Sequence, residues 1–364
     1  MMPSPRSLRA AASNVARKLV HGQVADLRPT PMEVIEEGPG RSVHRYRGPR
    51  ELIAAGPPVL FVPPPAAPVR CYDLRRGCSL AEHLVNAGRR SYLLDQRPDG
   101  DEGAGAGLPE AIGAVSRDAG GQPVQLVGWS LGGILALLAA AADPPPPVAS
   151  VVLVAAPADP ASVPVPGSVP GSAPRWPAAR PAGSLEAAVA GALFGGLAVP
   201  SSDTARGLLG VEKYLLRPYQ MLTHLDDADF LAQIEALDHF ANAMMASSGR
   251  RSEGLRSAFL RETGEAGGEL EVDGRRIGLD GVRVPVLAIA GRDDRLAPAS
   301  AVRPLTRLLP NAPEVRFEVA PGGHVGVLTG SAARTTTWAH LDRWLDEGIV
   351  RHGLRAHRRR PAAI

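Results

Sequence analysis

Ser130 stands in the run Gly128-Trp129-Ser130-Leu131-Gly132, with Gly133 following, between the apolar stretches PVQLV and ILALLAAAA. A serine hydroxyl is a poor nucleophile until an imidazole takes its proton and a carboxylate holds that imidazole in the useful tautomer. Both partners lie downstream. Asp294 sits in GRDDRLAP directly after the apolar run VPVLAIAG, and His324 sits in PGGHVGV directly after VRFEVA. A serine on a sharp strand-to-helix turn, with an acid and a histidine in loops at strand ends, is the equipment of acyl transfer through an acyl-serine. Asp293 competes for the acid position. Asp294 is preferred because a few residues and then a proline, here Pro298, follow it.

The intermediate of acyl transfer carries an oxyanion that needs N–H donors. Leu131, next after the serine, is one expected donor. The second is expected from the loop Val62-Pro63-Pro64-Pro65-Ala66-Ala67-Pro68, where only Ala66 and Ala67 can donate because proline has no N–H. Ala66 is chosen as the nearer to the strand end. None of the other eight histidines follows a strand-like run, so His21, His44, His83, His224, His239, His340, His352 and His357 read as surface or packing residues. Cys71 and Cys78 are too few for a disulfide framework or a cysteine-based zinc site, and they read as ordinary reduced thiols of a cytoplasmic protein.

The elements that must carry these residues show as an alternation. From residue 57 come PPVLFV, a helical pattern near 79 to 88, SYLLD, another near 108 to 119, PVQLVG, a helix from 131, and SVVLVAAP. Buried strands alternating with helices predict an α/β fold, a mostly parallel sheet flanked by helices on both faces. After Pro157 the pattern stops, with eight prolines between 157 and 181, and helical periodicity returns over 211 to 247. The strands resume at 284 to 291 and 315 to 320. The organisation expected is therefore an N-terminal extension over 1–42, a core of 43–156 and 271–350, a Pro-rich and helical cap or lid inserted over 157–270, and a basic tail over 351–364.

Of the 364 residues, 45% are hydrophobic and 21% charged, and the net charge is +3. Among forty basic residues only Lys18 and Lys213 are lysines, and the arginines are interspersed with acids rather than gathered on one face, which argues against nucleic-acid binding. No apolar run is long enough for a transmembrane segment, and the N-terminus lacks a signal-peptide core. Residues 6 to 21 can form a short basic amphipathic helix, read either as lying on a surface or, by preference, as packing on its own domain or fraying. The Gly-rich stretch at 103 to 107 follows an acidic loop instead of a strand and is not a dinucleotide fingerprint, and no metal-ligand cluster occurs. No cofactor is implied.

Several motifs together resemble the polyhydroxyalkanoate synthase-like branch of the α/β-hydrolase superfamily. They are VPPPAAPVRCYDLRRGCSLAEHLVNAGRRSYLLD, VQLVGWSLGG, LEVDGRRIGLDGVRVPVLAIAGRDDRLAP and APGGHVGVLTG, dispersed over residues 57 to 345. The order Ser, Asp, His is also that of the α/β-hydrolase arrangement. The resemblance implies an α/β-hydrolase fold and transfer of 3-hydroxyacyl groups from a coenzyme A thioester to an enzyme nucleophile and on to a hydroxyl. It maps Ser130 to the nucleophile, Asp294 to the acid and His324 to the base. The chain departs from the branch in two places: Ser130 replaces the cysteine nucleophile, and the segment after SYLLD is shortened to QRPDGDEGAGAG.

Three functions stay open on the sequence. The first is a serine acyl enzyme acting on acyl-coenzyme A thioesters or esters, as transferase or hydrolase, with Arg250 and Arg251 as candidate partners for the coenzyme's phosphates. The second is a carboxylesterase or lipase. The third is a catalytically silent partner or granule-surface protein. The expected partner is a small-molecule acyl ester or thioester, and homodimer formation stays open.

Overall fold

The computed structural model describes residues 4–49, 52, 54, 56–64, 67–96, 107–158, 221–247, 269–272 and 275–352. At its centre lies an eight-stranded sheet in the order β1-β2-β4-β3-β5-β6-β9-β10. These strands are β1 (Met32–Gly38), β2 (Arg41–Tyr46), β3 (Val59–Val62), β4 (Ser91–Gln96), β5 (Val124–Trp129), β6 (Val148–Val154), β9 (Val286–Gly291) and β10 (Val315–Ala320). A separate antiparallel hairpin joins β7 (Glu269–Val272) to β8 (Arg275–Gly278). Strand β2 runs antiparallel to β1 and β4, and every later pairing in the large sheet is parallel.

Parallel strands need long crossovers, supplied here by α2 (Leu80–Asn86), α3 (Leu108–Asp118) and α4 (Leu131–Ala140). Covered on both faces, β3, β5 and β9 are buried end to end, as their apolar runs require. Helix α4 is apolar all round and buried from Gly132 to Ala140. From β3 the chain crosses through α2 to β4 on one side, then returns through α3 to β5 on the other. At such a switch point a crevice opens beyond the carboxyl ends of the two strands, here those of β3 and β5.

The expected core boundary at residue 43 falls inside β2, and the sheet begins at Met32. A register shift between Val34 and Glu36 breaks the alternation that would mark β1 in sequence. Its Glu33, Glu36 and Glu37 suit an edge strand, where charge discourages further pairing.

The N-terminal helix forms as α1 (Pro5–His21), capped by the Ser4 side chain and closed by Gly22 in the left-handed region. Neither frayed nor free, it lies against residues 225–235. Asn14 donates to the Leu225 carbonyl at 2.8 Å, and Lys18 pairs with Glu235. Glu235 also accepts the N–H groups of Val24 and Ala25 at 2.7 and 2.8 Å. Of the cap expected over 157–270, the main described element is α5 (Ala228–Ser247). The Pro-rich stretch, Arg250, Arg251 and residues 353–364 of the basic tail lie outside the described residues. On the core side α5 is bonded through Asp229 to Arg75 at 2.8 Å and Arg334 at 2.5 Å, and through Gln233 to the Thr329 carbonyl at 3.1 Å. The last described helix, α6 (Thr337–Arg351), covers the sheet with Trp344 and Leu345 buried.

Candidate active site

Strand β5 ends at Trp129 and α4 opens at Leu131, so Ser130 alone makes the turn, at φ 54° and ψ −128°. Such a conformation costs a residue with a side chain about 1–3 kcal/mol and persists only where its surroundings enforce it. The Ser130 N–H donates to the Val154 carbonyl at 2.9 Å, and flanking glycines permit the close approach. A Cβ on Gly128 would stand 2.4 Å from the Cα of Gly133, and one on Gly132 would stand 2.0 Å from the Val62 carbonyl oxygen. Gly132 therefore lets the end of β3 run against the start of α4.

The loops after β9 and β10 deliver the partners. His324 Nε2 lies 2.9 Å from Ser130 Oγ, and its Nδ1 lies 2.8 Å from Asp294 Oδ2. The other carboxylate oxygen of Asp294 accepts the N–H groups of Leu296 and Ala297, both at 2.8 Å. With Asp294 and His324 both buried, the acid is fixed at each oxygen and the imidazole is fixed by the acid. Asp293 points elsewhere: it is exposed, and its carboxylate accepts the Gly322 N–H at 3.3 Å. Trp129 donates its indole N–H to the His324 carbonyl at 2.9 Å, with its ring 5.2 Å from the imidazole. From α5, the Phe240 ring also meets Trp129, at 6.2 Å.

Leu131 is the first residue of α4, so its N–H has no partner within the helix, and among the described residues it has no other acceptor. It is free to meet an anion beside Ser130. Ala66 lies outside the described residues. The N–H of Ala67 is bonded to the Pro64 carbonyl at 2.9 Å, which occupies the alternative donor of that loop.

Tyr72 is a residue that sequence reasoning passes over. Fully buried and stacked on Phe61 at 4.5 Å, it brings its hydroxyl 2.8 Å from the Val62 carbonyl and 3.1 Å from that of Val127. It thereby ties the exit of β3 to β5 just before the turn. Burial pushes its phenol well above the usual range, so it stays a donor. Burial likewise raises both thiols, and Cys78 donates to the Thr329 carbonyl. Among the other histidines, His83 pairs with Asp342 at 2.8 Å, His224 stacks on Phe230, and His44 sits in β2 beside Ser42. Among the described residues, no group of three or more His, Cys, Asp or Glu is placed to hold a metal, and no helix is long and apolar enough to cross a membrane.

Comparison with known proteins fits this architecture. The poly(3-hydroxyalkanoate) polymerase subunit PhaC of Haloferax mediterranei is 24% identical over 137 residues, which are 38% of this chain and 28% of that protein. The same subunit of Allochromatium vinosum is 25% identical over 127 residues, 35% of this chain and 36% of that one. The match thus spans about a third of the length of these relatives. Among solved structures, a candidate aryl esterase from Burkholderia cenocepacia superposes with a TM-score of 0.51 at 16% identity, covering 88% of this chain and all of the other, a likeness of fold alone. Residues 57–331 match the alpha/beta hydrolase fold family, with strand order, turn and loops as described above, and the chain belongs to that family.

Proposed function

We propose that the protein is a serine acyl enzyme that takes acyl groups, 3-hydroxyacyl groups among them, from thioesters or esters and passes them to a hydroxyl or to water. The observation that carries this reading is the unbroken hydrogen-bonded line from Ser130 Oγ through His324 to Asp294 at the head of the crevice. In the first half-reaction Ser130 Oγ attacks the acyl carbonyl while His324 Nε2 takes its proton. The Leu131 N–H, with Ala66 as the proposed second donor, stabilises the oxyanion. Asp294 stabilises the imidazolium, which then gives its proton to the departing thiolate or alkoxide. In the second half-reaction His324 deprotonates the acceptor, whose oxygen attacks the acyl-serine, and the proton returns to Ser130. Residues 157–270 are proposed as the lid over this site.

The oxygen nucleophile makes the sequence directional. A thiolate exchanges acyl groups with a thioester at nearly equal free energy, whereas loading a serine from a thioester runs downhill and return to a thiol is disfavoured. Onward passage to an oxygen acceptor is the open route. The test is incubation of purified protein with a 3-hydroxyacyl-coenzyme A. Release of free thiol and an acyl adduct on Ser130 by mass spectrometry are expected. Absence of both, with a Ser130 that still reacts with a fluorophosphonate and turns over aryl esters, leaves a carboxylesterase. A folded protein whose Ser130 ignores the fluorophosphonate is catalytically silent and overturns the proposal.

A further inference from the structure

Helix α1 is mounted with its polar side inward. Ser7 and Asn14, seven residues apart, fall on one face with Lys18, and all three bond to the segment that includes Asp226, Leu225 and Glu235. Turned about a hundred degrees away is a stripe of Leu8, Ala12, Val15 and Leu19, spaced four, three and four residues apart. This stripe faces solvent: Leu8 is 56% exposed and Leu19 80%, and Val20 beside it is 75% exposed. An ordinary amphipathic helix on a globular protein buries its apolar stripe. Here the ion pair and the buried Asn14 turn the polar face inward instead and leave the stripe to the side, in solvent. Leu222, three residues before the carbonyl that binds Asn14, is also exposed, at 65%.

Charge identifies what such a face meets. Helix α1 contains no acidic residue, and at about 100° per residue Arg9 comes next round the helix from the stripe while Arg6 and Arg17 lie on the side away from it. Among the described residues none of the three has a carboxylate partner. All lie within about 10 Å, one helix diameter, of the apolar stripe, close enough for an anionic surface to feel them through the roughly 8 Å screening length of physiological salt. A second copy of α1 would bring like charges together and offers no anion. We infer that α1 is a docking face for an anionic lipid surface, with Leu8, Val15 and Leu19 entering the interface, Arg9 beside them at the headgroups, and Arg6 and Arg17 adding to the attraction from across the helix.

The experiment uses the full chain with vesicles of phosphatidylcholine and phosphatidylglycerol in equal parts, and with vesicles of phosphatidylcholine alone. Cosedimentation with the anionic vesicles, much weaker with the neutral ones and reduced by salt, is expected. The double variant Leu8→Gln/Leu19→Gln should lower partitioning by at least about tenfold, since burying a leucine is worth that much on its own. Arg6→Gln/Arg9→Gln/Arg17→Gln should lower it by about tenfold or more. Both variants should leave esterase activity and melting temperature unchanged, because these side chains are exposed and distant in chain from Ser130. The inference is overturned if anionic vesicles do not bind, if neutral vesicles bind equally well, if the leucine variant binds as the parent does, or if sedimentation velocity shows instead a dimer that this variant dissociates.

Discussion

Asp294→Asn isolates the tautomer of His324 with almost no change of shape. In the native chain one oxygen of Asp294 accepts two backbone N–H groups at 2.8 Å, and the other faces His324 Nδ1 at 2.8 Å. An asparagine has one acceptor to offer. Keeping its oxygen on Leu296 and Ala297 retains both backbone bonds, whereas the reverse orientation forfeits them at about 1 kcal/mol each and sets donors against donors. The amide nitrogen therefore faces Nδ1, which must become an acceptor. The ring proton then sits on Nε2, 2.9 Å from Ser130 Oγ, where a base is needed. The same change in a serine-protease triad costs about 10⁴-fold, or about 5 kcal/mol of transition-state stabilisation. A loss of that order is expected in thiol release from 3-hydroxyacyl-coenzyme A and in the labelling rate of Ser130 by a fluorophosphonate, with the thermal midpoint nearly unmoved. Asp293→Asn, altering only the carboxylate beside Gly322, should stay within a few-fold of the parent. If Asp294→Asn folds normally and keeps activity within about tenfold, the tautomer reasoning is refuted.

Gly132→Ala places a methyl 2.0 Å from the Val62 carbonyl oxygen, so the exit of β3 must retreat from the turn; turnover should fall by about 10²- to 10³-fold if that exit carries an oxyanion donor, as steady-state ester hydrolysis will show. Tyr72→Phe leaves the Val62 and Val127 carbonyls without their hydroxyl, and urea unfolding should show a loss of about 1–3 kcal/mol. At Glu235 burial acts to raise the carboxyl, but Lys18 and the N–H groups of Ala25 and Val24 outweigh it and hold it below the ordinary value of 4.5. A depressed acid contributes stability that is complete above its unfolded value and is lost as pH falls through the folded one, so α1 should become sensitive to proteolysis in acid, and Glu235→Gln should show that sensitivity already at neutral pH.

The parts of the fold readable from sequence are those where one chemical demand dominates. Parallel strands covered on both faces must be apolar throughout, and VLFV, VQLVGW and VLAIAG become β3, β5 and β9. Strand β1 escapes because its register shift at Val34 and Glu36 disrupts the period of two. The β7–β8 hairpin has a usable signal, Asp273-Gly274 between the paired segments, the residue pair favoured in two-residue hairpin turns. Chain order and strand ends single out Ser130, Asp294 and His324, and the structure brings their side chains together because a sheet collects its carboxyl-end loops in one place. Tyr72 is not singled out, since its acceptors lie ten and fifty-five positions away and CYDL carries no local mark of them. The orientation of α1 was equally hidden: periodicity finds an apolar stripe, but the partners of Asn14 and Lys18, more than two hundred positions away, decide which side faces inward.

Helix α5 links these features physically. Asp229, Gln233, Ala236 and Phe240 are spaced four, three and four apart, so one face of the helix carries both bonds to the core and the ring that meets Trp129. Leu231, Ala232 and Glu235 serve the N-terminal segment, packing on Val24 and Ala25 and pairing with Lys18. A helix held on both sides cannot lift away without breaking the Asp229 ion pairs, the Gln233 bond or the Glu235 cluster, so Phe240 is held in place beside Trp129. Trp129 meets Phe240 while donating to the carbonyl of His324, which joins α5, the turn and the His324 loop in one packed unit. In the proposed reaction an acyl group on Ser130 would wait for an oxygen acceptor beside this packed unit.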